Sequence, residues 1–145
     1  MADIIQDLAD DLLARIETLT EIKGGPLYLY DVEDMLFEKG RKLFKTPGVA
    51  IIYNSGVGTD KGRSGDLAFD IYVCAGRDRQ DRVNRSVKQI GTSILSQIRS
   101  LIMGEECNKT PAGRNWVWVL ERPVEIDENL IIYLQRWRTR VITLN

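Results

Sequence analysis

The apolar residues of this chain change their spacing three times, and that change restricts the fold more than any single motif. In "IIQDLADDLLARIETL", Ile5, Leu8, Leu12, Ile16 and Leu19 recur at intervals of three and four, with the acids on the opposite face. This predicts an amphipathic helix, with Asp3 placed to cap it and Gly24-Gly25-Pro26 placed to stop it. From Gly48 the period becomes that of strands. "VAIIY" is a short, continuous, β-branched run, the pattern of a strand buried on both faces. "DLAFDIYVCA" alternates: Leu67, Phe69, Ile71 and Val73 point one way, and Asp66, Ala68, Asp70 and Tyr72 the other.

Helical spacing then returns. Val83, Val87, Ile90, Ile94, Ile98 and Leu101 form one stripe, with Asp78 or Asp81 as the expected cap and Gly104 as the end. At about 1.5 Å per residue this helix is expected to exceed ~30 Å and to form the main cover for a sheet. "NWVWVLERPVEI" and "NLIIYLQRWRTRVITL" follow, both strand-like. Between the first helix and the first strand lies "LYLYDVEDMLFEKGRKLFKTPG", the least legible stretch. There Asp31 is placed to cap a short helix through Phe37, broken at Gly40 and barred beyond Pro47. The order is α-(α)-β-β-α-β-β. It predicts an α+β fold in which an antiparallel sheet of about four or more strands carries two main helices on one face. No linker or repeat divides residues 1–145, so one domain is expected.

The glycine-rich stretch "YNSGVGTDKGRSGDLAF" invites a phosphate-binding reading, and its spacing refuses it. A Walker loop needs glycine, four residues, then Gly-Lys-Ser/Thr; counting back from Gly62 puts Val57 where the first glycine belongs. The dinucleotide pattern fails at Lys61, and a strand follows the loop instead of a helix. The stretch is expected to be a projecting loop of about eleven residues joining two strands of a hairpin, with Lys61 and Arg63 at its tip.

The residue inventory narrows the chemistry. The chain has no histidine, which removes Ser-His-Asp and Cys-His nucleophile systems and every histidine-ligated metal site. Cys74 and Cys107 do not form a CxxC and are expected as free thiols. Asp66 and Asp70 share a strand face but lie roughly 13 Å apart, too far to share one ion. Glu125, Asp127 and Glu128 read as an acidic turn. No acid and base converge with an orienting partner, so neither enzymatic activity nor a cofactor is expected. The N-terminus has no basic region before an apolar core, and no apolar run approaches the ~18–20 residues that span a bilayer, so a protein working inside a cell, away from membranes, is expected.

Charge is balanced overall, at −1, but unevenly placed. The first helix region holds Asp3, Asp7, Asp10, Asp11, Glu17 and Glu21 against Arg15; residues 77–99 hold five arginines or lysines before Arg99 against Asp78 and Asp81. Such segments are either solvated faces or complementary contacts, with Asp10 and Asp11 the candidates on the acidic side. In the last strand Arg136, Arg138 and Arg140 share a face opposite Tyr133, Trp137 and Val141. That stripe has two readings: cross-strand pairing with Asp70 or Glu121, or a charged surface facing a neighbouring subunit or a channel. Trp116 and Trp118 are expected to point together, away from Val117 and Val119, so that one pair covers the core and the other is exposed.

The helix "IIQDLADDLLARIETL", the entry "TPGVAIIYNSG", the strand "LAFDIYVCAGRDR" running into a long helix, and the closing strand "YLQRWRTRVITL" together resemble the tail terminator (tail completion) proteins of long-tailed bacteriophages, particularly the Mu-like and prophage group. The resemblance spans nearly the whole chain in order and length, and rests on layout. It implies a structural virion protein, assembled in the host bacterial cytoplasm, that forms a hexameric ring at the head-proximal end of the tail. Such a ring ends polymerisation of the tail tube, presents a surface to the head-side connector, and lets DNA pass without specific binding. Lys61, Arg63, Asp10, Asp11, Arg136, Arg138 and Arg140 are then candidates for subunit contacts or the lumen. The competing expectations are another neck or head–tail joining subunit, and a small cytoplasmic ligand-binding α+β domain, which needs a pocket of convergent polar groups.

Overall fold

The computed structural model describes residues 4–22, 24–29, 46–59, 64–76, 86–105, 115–126 and 130–142. In chain order the elements are α1 (Ile4–Ile16), β1 (Leu27–Leu29), β2 (Gly48–Thr59), β3 (Ser64–Gly76), α2 (Val87–Ile102), β4 (Val117–Ile126) and β5 (Leu130–Ile142). The five strands form one sheet in the order β1-β2-β3-β5-β4. β1 runs parallel to β2, and every other pair is antiparallel. This is the expected α+β architecture, and both helices pack on the same sheet face. Leu8, Leu12 and Ile16 of α1 and Ile90, Ile94 and Ile98 of α2 share one buried cluster with Val49, Ile51, Phe69, Ile71, Val73 and Trp137.

The alternation read in β3 is realised. Phe69, Ile71 and Val73 enter the helix-covered cluster, while Tyr72 and Cys74 lie on the other face with Ala50, Ile52, Ile132 and Leu134 in a second buried cluster. At this end of the sheet the second face is buried as well, and no residue of α1 or α2 belongs to it. Cys74 is buried and forms no disulfide, as expected. Cys107, Asp3, Asp78, Asp81 and Val83, and the short helix expected from Asp31 to Phe37, lie outside the described residues.

Three expectations are corrected. The glycine stretch is not an eleven-residue loop: β2 and β3 stay paired from Tyr53↔Phe69 out to Thr59↔Ser64, leaving only residues 60–63 between them. A bulge at Asn54 shifts the register once, and the ladder then continues. Glycine propensity misleads here because backbone pairing outweighs it, and because Gly56 lets Leu67 and the Tyr53 hydroxyl approach to 2.8 Å of where a Cβ would sit. Second, α2 is shorter than expected. Its cap is Ser86, whose hydroxyl accepts from Gln89 N at 3.1 Å while Gln89 Oε1 accepts from Ser86 N at 2.8 Å. Sixteen residues give about 24 Å, and the end at Gly104, with φ 74°, is as expected. Third, β1 was not anticipated, because three residues are too few to display a period.

Polar side chains fasten the helices. One Asp11 oxygen, Oδ2, accepts the Trp116 indole N–H at 2.9 Å and Arg15 Nε–H at 3.0 Å. Arg15 Nη1 donates to the Leu101 carbonyl at 3.4 Å, joining α1 to the end of α2. Gln135, fully buried, donates to the Leu95 carbonyl at 3.1 Å and accepts from Trp137 Nε1 at 2.7 Å. Helix α2 also approaches the sheet at a glycine. A Cβ on Gly91 would fall inside the edge of the Tyr133 ring and 3.1 Å from the Ala75 Cβ. Gly91→Ala is therefore expected to destabilise the fold by about 1–3 kcal/mol in denaturant unfolding, although alanine is the better helix former.

Candidate interaction surface

β3 and β5 carry the charged part of the exposed sheet face, and their register decides which charges meet. Asp70 lies opposite Arg136, Ala68 opposite Arg138, and Asp66 opposite Arg140. Arg136 donates from Nε to Asp70 Oδ1 at 2.7 Å and from Nη2 to Oδ2 at 3.2 Å, a two-point clasp. Asn54, displaced by the β2 bulge, adds Nδ2–H to Asp70 Oδ2 at 2.9 Å. Asp70 is only 2% exposed, and these donors take the place of water around its carboxylate. The same clasp raises the Arg136 pKa above the ordinary arginine value. Arg140 donates from Nε to Asp66 Oδ1 at 3.1 Å, and this bond holds the Asp66 carboxyl below its ordinary value of 3.8. Burial pushes the Tyr72 hydroxyl up on the same face.

Of the two readings of the arginine stripe, pairing within the subunit accounts for Arg136 and Arg140, through Asp70 and Asp66. Glu121 is engaged elsewhere: it accepts from Arg99 Nη1 at 2.5 Å and from Gln135 Nε2 at 2.7 Å. Arg138 is exposed and makes no ion pair among the described residues. The acidic candidates separate as well. Asp10 is half-buried and accepts from Gln6 Nε2 at 2.8 Å. Asp11 is buried inside the subunit on Trp116 and Arg15, so its carboxylate is not a surface group. Lys61, Arg63, Asp127 and Glu128 lie outside the described residues.

The paired-tryptophan expectation is half met. Both indoles belong to the helix side of the sheet, but Trp116 is buried against Phe69 whereas Trp118 is 42% exposed on the edge strand. The Arg99 guanidinium lies 5.3 Å over the Trp118 ring centre. Val117, Val119, Val124 and Ile126 are exposed along the same strand, so β4 is an apolar edge. At the opposite side of the sheet an open groove of about 270 Å³ runs between Ile4 and Ile5 of α1, the outer β2–β3 hairpin at Gly56, Gly58 and Leu67, and Val141 of β5. Composition hid this groove, because its floor is glycine and its wall is the start of a helix far away in sequence.

Among the described residues no group of Cys, Asp and Glu is placed to hold a metal ion, and no helix is long and apolar enough to cross a membrane. Comparison with models of known families and with curated proteins gives no match. What the arrangement offers chemically is surface: a clasped ionic ladder, an apolar edge and an apolar groove.

Two outcomes follow for the ladder. Arg136→Met removes the two-point partner of the nearly dry Asp70 carboxyl, and is expected to cost about 2–4 kcal/mol, toward the low end of the buried-pair range because Arg136 keeps 28% exposure. The double variant Asp70→Asn, Arg136→Met is expected to lose less than the single one in the same unfolding experiment. Asp66 has a folded pKa below its unfolded one, so its contribution is full above about pH 4 and disappears as the pH falls through the lowered folded value. The acid limb of the stability–pH curve is expected to flatten in Arg140→Gln relative to wild type.

Proposed function

We propose that this chain is the subunit of a ring that caps a bacteriophage tail tube, ends its polymerisation and presents a surface to the head side. The observation that carries the reading is the layout itself: an amphipathic helix, two long strands, a second helix and a closing arginine strand, which fold as one sheet with both helices on one side. Supporting it, the described surface exposes apolar side chains along β4, which suits contact with a neighbour. The groove of about 270 Å³ beside α1 is lined almost entirely by apolar side chains and glycine. A ring lumen through which DNA slides must avoid gripping phosphates. Clasping Arg136 and Arg140 to Asp70 and Asp66 removes two cations from that role.

The test is light scattering behind size exclusion over a concentration series, with negative-stain images of the same fractions and of fractions mixed with polymerising tail tubes. A particle of about six 16.5 kDa subunits with a central hole, bound at one end of tubes whose growth stops, is the expected result. Binding to emptied heads with no effect on tube length assigns the chain to the neck instead. Tight, salt-sensitive retention of duplex DNA by the free protein would overturn the reading.

A further inference from the structure

The apolar edge and the apolar groove lie at opposite ends of nearly one row of the sheet. Trp118 pairs with Trp137, Trp137 with Phe69, and Phe69 with Tyr53. The groove begins two residues farther along β3, at Leu67 and Gly56, a displacement of about 7 Å. Trp118 and the groove are also on the same face, the one the helices cover. Among the described residues β1 pairs only with Ala50–Ile52, and no other described strand lies beside β2 beyond Tyr53 on that side. Successive antiparallel pairings make β4 run opposite to β2. A second copy set beside the first in the same orientation thus brings its β4 edge to the outer β2 edge.

We infer that Trp118 of one copy seats in the groove between α1 and the β2–β3 hairpin of the next, making a head-to-tail contact between copies. Size agrees: a cavity of about 150 Å³ accepts benzene, and this groove of about 270 Å³ accommodates an indole. Charge agrees too. The helix beside the groove, α1, carries Asp7 and Asp10 outside its buried Asp11–Arg15 pair, while α2, nearer the Trp118 edge, carries the exposed Lys88, the Glu121-paired Arg99 and no acid. Same-orientation packing sets an acidic helix against a basic one. Trp118 is held before contact by Arg99, itself fixed by Glu121, so little side-chain freedom is lost on docking. The contact is one of side chains. Pro123 and the irregular register at Val119 and Val124 prevent β4 from extending a continuous ladder.

This inference deepens the ring reading, since one patch meeting a different patch closes a ring or extends a filament. Gly58 supplies a clean probe: a Cβ there meets nothing within 4 Å, and its backbone does not require glycine. Gly58→Leu fills the groove, and Trp118→Ala removes the anchor. In sedimentation velocity over a concentration series, each variant is expected to self-associate at least about tenfold more weakly than wild type with an unchanged melting temperature. Each retains one intact surface, so a 1:1 mixture of the two variants is expected to form dimers and nothing larger. A wild type that stays monomeric into the millimolar range overturns the contact, as does either variant associating like wild type, or a mixture that remains monomeric. Rings that persist in both variants sink this contact and leave the ring reading standing. Variant-sensitive filaments that never cap a tube do the reverse. A Gly58→Leu chain that assembles normally but no longer stops tube growth assigns the groove to the tube protein and overturns the inference.

Discussion

The pairing of β3 with β5 is the constraint on which the remaining structure depends. It runs unbroken from Ser64↔Ile142 to Gly76↔Leu130, and both strands are central. Side chains alternate across it, so a slip of one residue would exchange the faces. Phe69, Ile71 and Trp137 would leave the helices, and Asp66, Asp70, Arg136 and Arg140 would enter a dry core. The native register is thus secured twice, by apolar burial on one side and by two ionic clasps on the other. Neither clasp need contribute much net stability to perform this task, because the alternative register carries the cost of buried, unpaired charge.

Helix placement follows from that register through a few polar contacts. Gln135 is the one amide among the inward-facing residues of β5. It is tolerated because α2 offers the Leu95 carbonyl, Trp137 offers its indole N–H, and Glu121 accepts the remaining donor. Asp11 does the corresponding work for α1, receiving Trp116 from the far end of the chain and Arg15 from its own helix. These groups fix where the helices sit, whereas the apolar stripes fix only which face they present. Gly91 then sets the distance, since any side chain there would hold α2 away from Tyr133.

Much of this was legible in the sequence, for reasons specific to each element. The stripes in α1 and α2 and the alternation in β3 and β5 are period signals, and the periods survive folding because one face must be buried. The cross-strand partners of Arg136 were readable only as alternatives. Choosing Asp70 over Glu121 requires the strand order, in which β3 and not β4 brings an acid to that row of the exposed face. The glycine stretch was misread because composition reports flexibility, whereas the ladder to β3 reports pairing that composition cannot encode. Asp11 looked like a surface acid beside Asp10; its burial depends on Trp116, a contact across more than a hundred residues that no local pattern carries. The groove was invisible for the same reason.

The two sheet edges are managed differently, and the difference bears on what such a subunit can do. A long strand with a free row of N–H and C=O groups recruits further strands without limit. β4 avoids this with Pro123, two register breaks and the charges of Glu121, Arg122 and Glu125, yet keeps Val117, Trp118 and Val119 exposed. Its backbone discourages addition while its side chains retain apolar area for recognition. At the other edge β1 covers the start of β2, and beyond it the glycines leave a floor without side chains. Contacts built this way depend on particular shapes rather than on the generic hydrogen-bonding capacity of a strand. A protein proposed to end a polymer needs that property: if its own edges propagated sheets indiscriminately, it would continue an assembly instead of closing it.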